Sequence, residues 1–168
     1  MAIKTFGIDH IHVNVRSMDR FRDLMKQLFD LDATRIGHIE SIQADNATVR
    51  LRGTGAGQPF LDVFESENPR SPIKRLVERR GPCVSFISFR VENIEEAAEH
   101  AARCGLQEIS RVGFAGVEKQ VQYNTVELLG FNLEFVEHEP GYAEAIADIQ
   151  RRLAAGEPVD GIGASREF

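Results

Sequence analysis

Along residues 8–15, IDHIHVNV, polar and apolar positions alternate: Ile8, His10, His12 and Asn14 share one face of a predicted strand, and Asp9, Ile11, Val13 and Val15 the other. The period then lengthens. Phe21, Leu24, Met25 and Leu28 make the apolar stripe of a helix that Ser17 is placed to cap. The same succession returns 76 residues later, Val84 standing against Ile8, in VSFISFRV and a helix carrying Ile94, Ala97, Ala98, Ala101 and Ala102. Asn93 is its predicted cap and Gly105 its predicted stop. The ends of the two segments match as well, PFLDVFES (59–66) with FNLEFVEH (131–138), at an offset of 72 that sets Asp62 against Glu134. Between these landmarks further strands are predicted near 34–42, 47–52, 108–112 and 119–128. Each half therefore reads β-α-β-β-β, and self-similarity of this kind marks a duplicated unit.

One such unit cannot bury a face alone, so the two halves must pack together. Ile11, Val13, Val15, Leu61, Val63, Ile87, Phe89, Val91, Leu133 and Phe135 are assigned to the faces under the helices. The opposite faces carry His10, His12, Asn14, Asp62, Ser88, Arg90, Asn132 and Glu134, which is too polar for a dry core and suits a ligand-holding cup. The expected fold is α+β: two tandem βαβββ modules, about 6–66 and 83–138, forming a curled, cup-like mixed sheet within a domain of residues 1–139. A linker, 67–82, holds a short basic helix, and 140–168 form a C-terminal helical extension and tail. Tyr142, Ile146, Ile149 and Leu153 give that end helix an apolar face for its own domain, for a twin subunit or for the mouth of the cup. The glycines of RGTGAGQP, with no GK[ST] behind them, are read as a hairpin turn.

Composition narrows the partners. A net charge of −6 without a long basic tract argues against nucleic acid as a ligand. The basic cluster Arg70, Lys74, Arg75, Arg79 and Arg80 is either a solvated helix face or a grip for an anionic group, such as an acyl-CoA phosphate or an acidic thiol conjugate. Two cysteines, Cys83 and Cys104, make no CxxC pair and are read as free thiols. No apolar run approaches the roughly 20 residues of a membrane span, and MAIKTFGIDH does not resemble a signal peptide, so a cytoplasmic address is expected.

The duplicated pattern, with its opening DHIHVNV and closing GFNLEFVE, resembles the vicinal-oxygen-chelate superfamily of glyoxalases, bleomycin-resistance proteins and extradiol dioxygenases. RSPIKRLVERRGPCVSFISFRVENIEEA is most similar to the methylmalonyl-CoA epimerase-like branch. The resemblance implies four metal ligands from the first and last strands of each module, falling on His10, Asp62, Phe86 and Glu134. Phenylalanine cannot ligate, which leaves His10, Asp62 and Glu134 as the expected set for a divalent ion such as Zn, Co, Ni, Mn or Fe. His12 is read three ways, as a replacement ligand, a hydrogen-bond donor to substrate or a structural polar residue.

The implied chemistry is proton transfer beside a metal-polarised carbonyl of a carbonyl or thioester compound, by an epimerase, isomerase or lyase. Glu134 is the candidate base, with Glu40 as a second acid/base, a role His38 could fill instead. His12, His38, Phe86 and Arg90 are the candidate substrate contacts. The alternatives are a non-catalytic binder of aromatic ligands that uses Phe86 as a stacking surface, and an Fe(II) ring-cleaving dioxygenase if His12 ligates. A homodimer is the expected assembly.

Overall fold

The computed structural model describes residues 2–51, 59–114, 116–157 and 164–165. The first half runs β1 (Thr5–Asn14), α1 (Met18–Phe29), β2 (Ala33–Ile39), β3 (Ala44–Arg50) and β4 (Phe60–Glu65). After the linker helix α2 (Pro72–Arg80), the second half runs β5 (Cys83–Val91), α3 (Ile94–Arg103), β6 (Glu108–Phe114), β7 (Glu118–Tyr123), α4 (Val126–Leu129) and β8 (Asn132–His138). Helix α5 (Tyr142–Ala154) and the two-residue strand β9 (Ala164–Ser165) follow. The predicted turn at 52–58 lies outside the described residues.

Local chemistry starts the helices where the sequence indicates. The Ser17 hydroxyl accepts from the Arg20 amide at 3.2 Å, and the Asn93 carboxamide oxygen accepts from the amides of Glu95 and Glu96 at 3.0 and 3.1 Å. Pro72 opens α2 behind Ser71, where a missing N–H costs nothing. Gly105, at φ 81°, takes the left-handed conformation that stops α3. The strand predicted to reach residue 128 ends instead at Tyr123. The Thr125 amide donates to the Asn132 side chain at 3.1 Å, which folds the chain back through α4 into β8.

All the strands join one curled mixed sheet in the order β2-β3-β4-β1-β5-β8-β7-β6-β9. The two first strands of the modules, β1 and β5, pair antiparallel at its centre, with Ile11 opposite Ile87. Each module then adds its last strand in parallel, so that His12 lies beside Asp62 and Ser88 beside Glu134. This register makes Ser88 the counterpart of His12 and Phe86 the counterpart of His10. Under the sheet sit two apolar cores. One gathers Val15, Leu31, Val49 and Val63 beneath α1, and the other Val91, Ile94, Ala97, Ala101, Val121, Tyr123 and Phe135 beneath α3.

Strict alternation fails at Asp9. Ile8 pairs with Phe89 and His10 with Ser88, so Asp9 is the extra residue of a β-bulge. The bulge buries Asp9, expected on the helix face, to 3% exposure beside His10, and leaves Ile8 39% exposed. The apolar stripe of α1 is also only half used. Phe21 and Met25 pack on the core, while Leu24 and Leu28 remain 49% and 61% exposed.

Candidate metal centre

Strand β1 presents His10 and His12 two residues apart, and β8, separated from β1 by β5, presents Glu134. Their donor atoms converge. The Nε2 atoms of the two histidines are 2.8 Å apart, and Glu134 Oε1 lies 3.1 Å from His10 and 3.4 Å from His12. Tetrahedral ligands at 2.0–2.1 Å from a shared ion stand about 3.3 Å from one another, so this donor set fits a divalent cation such as zinc. His10 and Glu134 are buried, and the His12 side chain is 12% exposed.

A second layer of hydrogen bonds orients these groups. Ser88 Oγ donates to Glu134 Oε1 at 2.5 Å and Gln122 Nε2 to Oε2 at 2.7 Å. On the far side of His10, Nδ1 is 2.9 Å from Asp9 Oδ1, which fixes the proton there and leaves Nε2 to face its partners. Asp9 Oδ2 is in turn 3.0 Å from His138 Nε2, and Tyr142 stacks on His138 with ring centroids 3.6 Å apart. Asp9, Glu118 and His138 form a second group of ligand-type side chains adjoining the first.

Burial and charge compete at each ionisable group. Burial opposes a charged His10, but hydrogen bonds to Asp9 and Glu134 outweigh it and hold the ring well above the usual histidine range. Burial likewise opposes a charged Glu134, yet the two histidines keep it well below the usual carboxylate range. Asp9 is lowered by His10 and His138 against the same opposition. For Asp62 and Glu118 burial wins, and both carboxyls are raised.

The convergence includes His12 and omits Asp62. Asp62 is the neighbour of His12 across the strand pair, but its carboxylate accepts from Asn46 at 2.6 Å and stands outside the three-residue ligand group. Phe86 packs its ring at 5.2 Å and 52° to His12, and Phe60 stacks on His10 at 5.0 Å. Arg90 lies over the exposed Phe6 ring. His38 is exposed and 3.0 Å from Asp45. Glu40 occupies the exposed turn after β2 and accepts from Gln43. Neither His38 nor Glu40 lines the cavity that reaches His10.

That cavity, of about 90 Å³, is walled by Asn46, Thr48, Arg50, Phe60 and Asp62 from the first half and by Phe114, Glu118 and Gln120 from the second. Helix α5 covers it with Tyr142, Ile146 and Ile149. A larger space of about 390 Å³, between α2 and the end of β1, touches none of the three converging side chains. Asp9, Glu118 and Arg50 went unread as site residues in the sequence. The bulge that turns Asp9 inward leaves no mark in a two-residue period, and Glu118 and Arg50 sit on strands without a recognisable motif.

A family model described as the glyoxalase/bleomycin resistance protein/dioxygenase superfamily matches residues 9–123. No curated protein shows significant sequence similarity to the chain. Among solved structures, methylmalonyl-CoA epimerase from Mycobacterium tuberculosis superposes with a TM-score of 0.70 at 15% identity, over 86% of this chain and 96% of that one. A hypothetical protein from Bacillus halodurans C-125 gives 0.68 at 22%, over 79% and 94%. A Streptomyces coelicolor methylmalonyl-CoA epimerase variant in complex with 2-nitronate-propionyl-CoA gives 0.67 at 15%, over 82% and 99%. At these identities the structural likeness speaks for the fold, whereas the family match spans more than half of the sequence. The chain belongs to the glyoxalase/bleomycin resistance protein/dioxygenase, or vicinal-oxygen-chelate, superfamily.

Proposed function

We propose that the protein is a metal-dependent enzyme of epimerase or isomerase type that moves a proton beside the carbonyl of a small substrate. The observation that carries this reading is the convergence of His10, His12 and Glu134 next to a cavity to which each half of the sheet contributes a carboxyl, the half-buried Asp62 and the buried Glu118. His10, His12 and Glu134 would hold the ion, one of Zn, Co, Ni, Mn or Fe, with His12 in the role that Phe86 cannot fill. When bound, the ion supplies positive charge against the negative charge that develops on a carbonyl oxygen.

The chain's own residues supply the rest. Glu134 is held ionised by its histidines, which suits a ligand better than a proton carrier. Asp62 and Glu118 are raised by burial toward the range in which a carboxyl both gives and takes a proton. Coming from different halves of the sheet, they meet the need of an epimerase for two acid/base groups, and Glu118 takes the part read for Glu40. Helix α5 lines the same cavity with Tyr142, Ile146 and Ile149.

Metal analysis of purified wild type and of His10→Ala/Glu134→Ala tests the assignment. Near-stoichiometric divalent metal in the wild type and little in the variant is expected; equal, negligible metal in both overturns it. The set of two histidines and one carboxylate also favours a second reading, an Fe(II) ring-cleaving dioxygenase. Absence of oxygen uptake by iron-reconstituted protein given catechols removes that reading. We further propose a homodimer through α1, supported by its uncovered Leu24 and Leu28.

A further inference from the structure

The cavity beneath α5 carries a cation, Arg50, for which no carboxylate partner occurs among the described residues. Arg50 ends β3 with its guanidinium over the Phe60 ring at 5.1 Å, and Phe60 stacks in turn on His10. Arg50 and His10 both line the cavity, linked through this one ring. The Arg50 Nε–H is buried and has no hydrogen-bond acceptor among the described residues. The two acids of the cavity wall are engaged elsewhere: Asp62 accepts from Asn46, and Glu118 accepts from Gln120 at 2.5 Å. A desolvated donor on a permanent charge is costly when unmade, and a carboxylate, whose two oxygens match the guanidinium fork, is the acceptor that relieves it.

Size restricts the ligand further. Tyr142, Ile146 and Ile149 of α5 close the space to about 90 Å³. Pockets for drug-sized ligands run to roughly 300–1,000 Å³. The cavity therefore suits a compound of a few heavy atoms, and a whole coenzyme A thioester does not fit beneath the helix.

We propose that this cavity binds a small carboxylate-bearing carbonyl compound, its carboxylate held by Arg50 and its carbonyl end turned toward His10. This rests on the metal-enzyme reading and narrows its substrates from carbonyl compounds and thioesters at large to short free oxo acids or dicarboxylic acids. Arg50 is then the residue that selects for the acid.

Calorimetric titration of malonate and of its neutral isostere malonamide into wild type, Arg50→Gln and Arg50→Lys tests the assignment, with metal content measured on each preparation. Malonate is expected to bind wild type about tenfold or more tightly than malonamide does, and to lose about tenfold or more in Arg50→Gln. Arg50→Lys, which restores charge without the fork, is expected to recover part of that loss at unchanged metal content. Failure of malonate to bind wild type, equal affinity in wild type and both variants, or tighter binding of acetyl-coenzyme A than of malonate overturns the proposal. Malonate binding that depends on Arg50 in a wild type devoid of metal supports the acid site and sinks the metal reading instead, so the two failures are told apart.

Discussion

Asp9 immediately precedes His10 and touches the ring nitrogen that faces away from Glu134. Its carboxylate holds the proton on Nδ1, so the lone pair of Nε2 points to where an ion would sit. An amide in its place could offer its own N–H to the ring and favour the opposite tautomer. Asp9→Asn is therefore expected to lower metal affinity about 10- to 100-fold while leaving the fold intact, as read by competition with a chromogenic chelator. An unchanged affinity would mean that packing against Phe60 alone orients the ring.

At the scale of elements, α1 sets itself apart from α3. Helix α3 buries Ile94, Ala97, Ala98 and Ala101, whereas α1 buries no residue fully. The small alanines let α3 settle close to the sheet, and the long Leu24 and Leu28 point past the first core. If α1 is the dimer seam, Leu28→Glu places a charge in it. Sedimentation velocity is expected to show a dimer for wild type and a monomer for the variant; identical profiles would exclude α1.

The elements also show how far the sequence could be read. The duplication was legible because core positions repeat in type and spacing: Val13 and Val63 recur as Phe89 and Phe135, and the caps Ser17 and Asn93 recur with them. His10, His12 and Glu134 were legible as candidates because they fall on polar faces of those repeats. That the donor atoms of His12, and not those of Asp62, join the cluster was not. The outcome depends on the Asn46 amide that engages Asp62 and on how the two sheet halves curl toward each other, and neither follows from spacing along one strand. The place of α5 over the cavity rests on long-range packing of Ile146 and Ile149, which an amphipathic pattern permits but does not choose.

For the whole molecule, the ionisable cluster sets a pH window. In the ion-free protein His10 has a raised pKa, so its contribution to stability is complete below about 6.5 and is lost as pH rises through the folded value. Asp9 and Glu134 have lowered values, so their contributions are present above about 4 and are lost as pH falls through those lowered values. Thermal melts of ion-free protein are expected to peak in the mildly acid range between these limits. A melting temperature that climbs steadily to pH 9 would contradict the ion pair. A bound ion would reverse the alkaline limb, because it would take the place of the His10 proton and bind better as pH rises.

Strand β5 lies between the strands that carry the three converging side chains, and contributes none of them. An ion held by β1 and β8 would consequently act as a rivet through the middle of the sheet, fastening one ancestral half of the chain to the other over a strand that is merely clamped. Such a rivet adds to cohesion in proportion to the logarithm of the free ion concentration. The integrity of the joint between the halves then becomes a readout of metal supply, and starvation for metal would slacken the molecule along its own line of duplication.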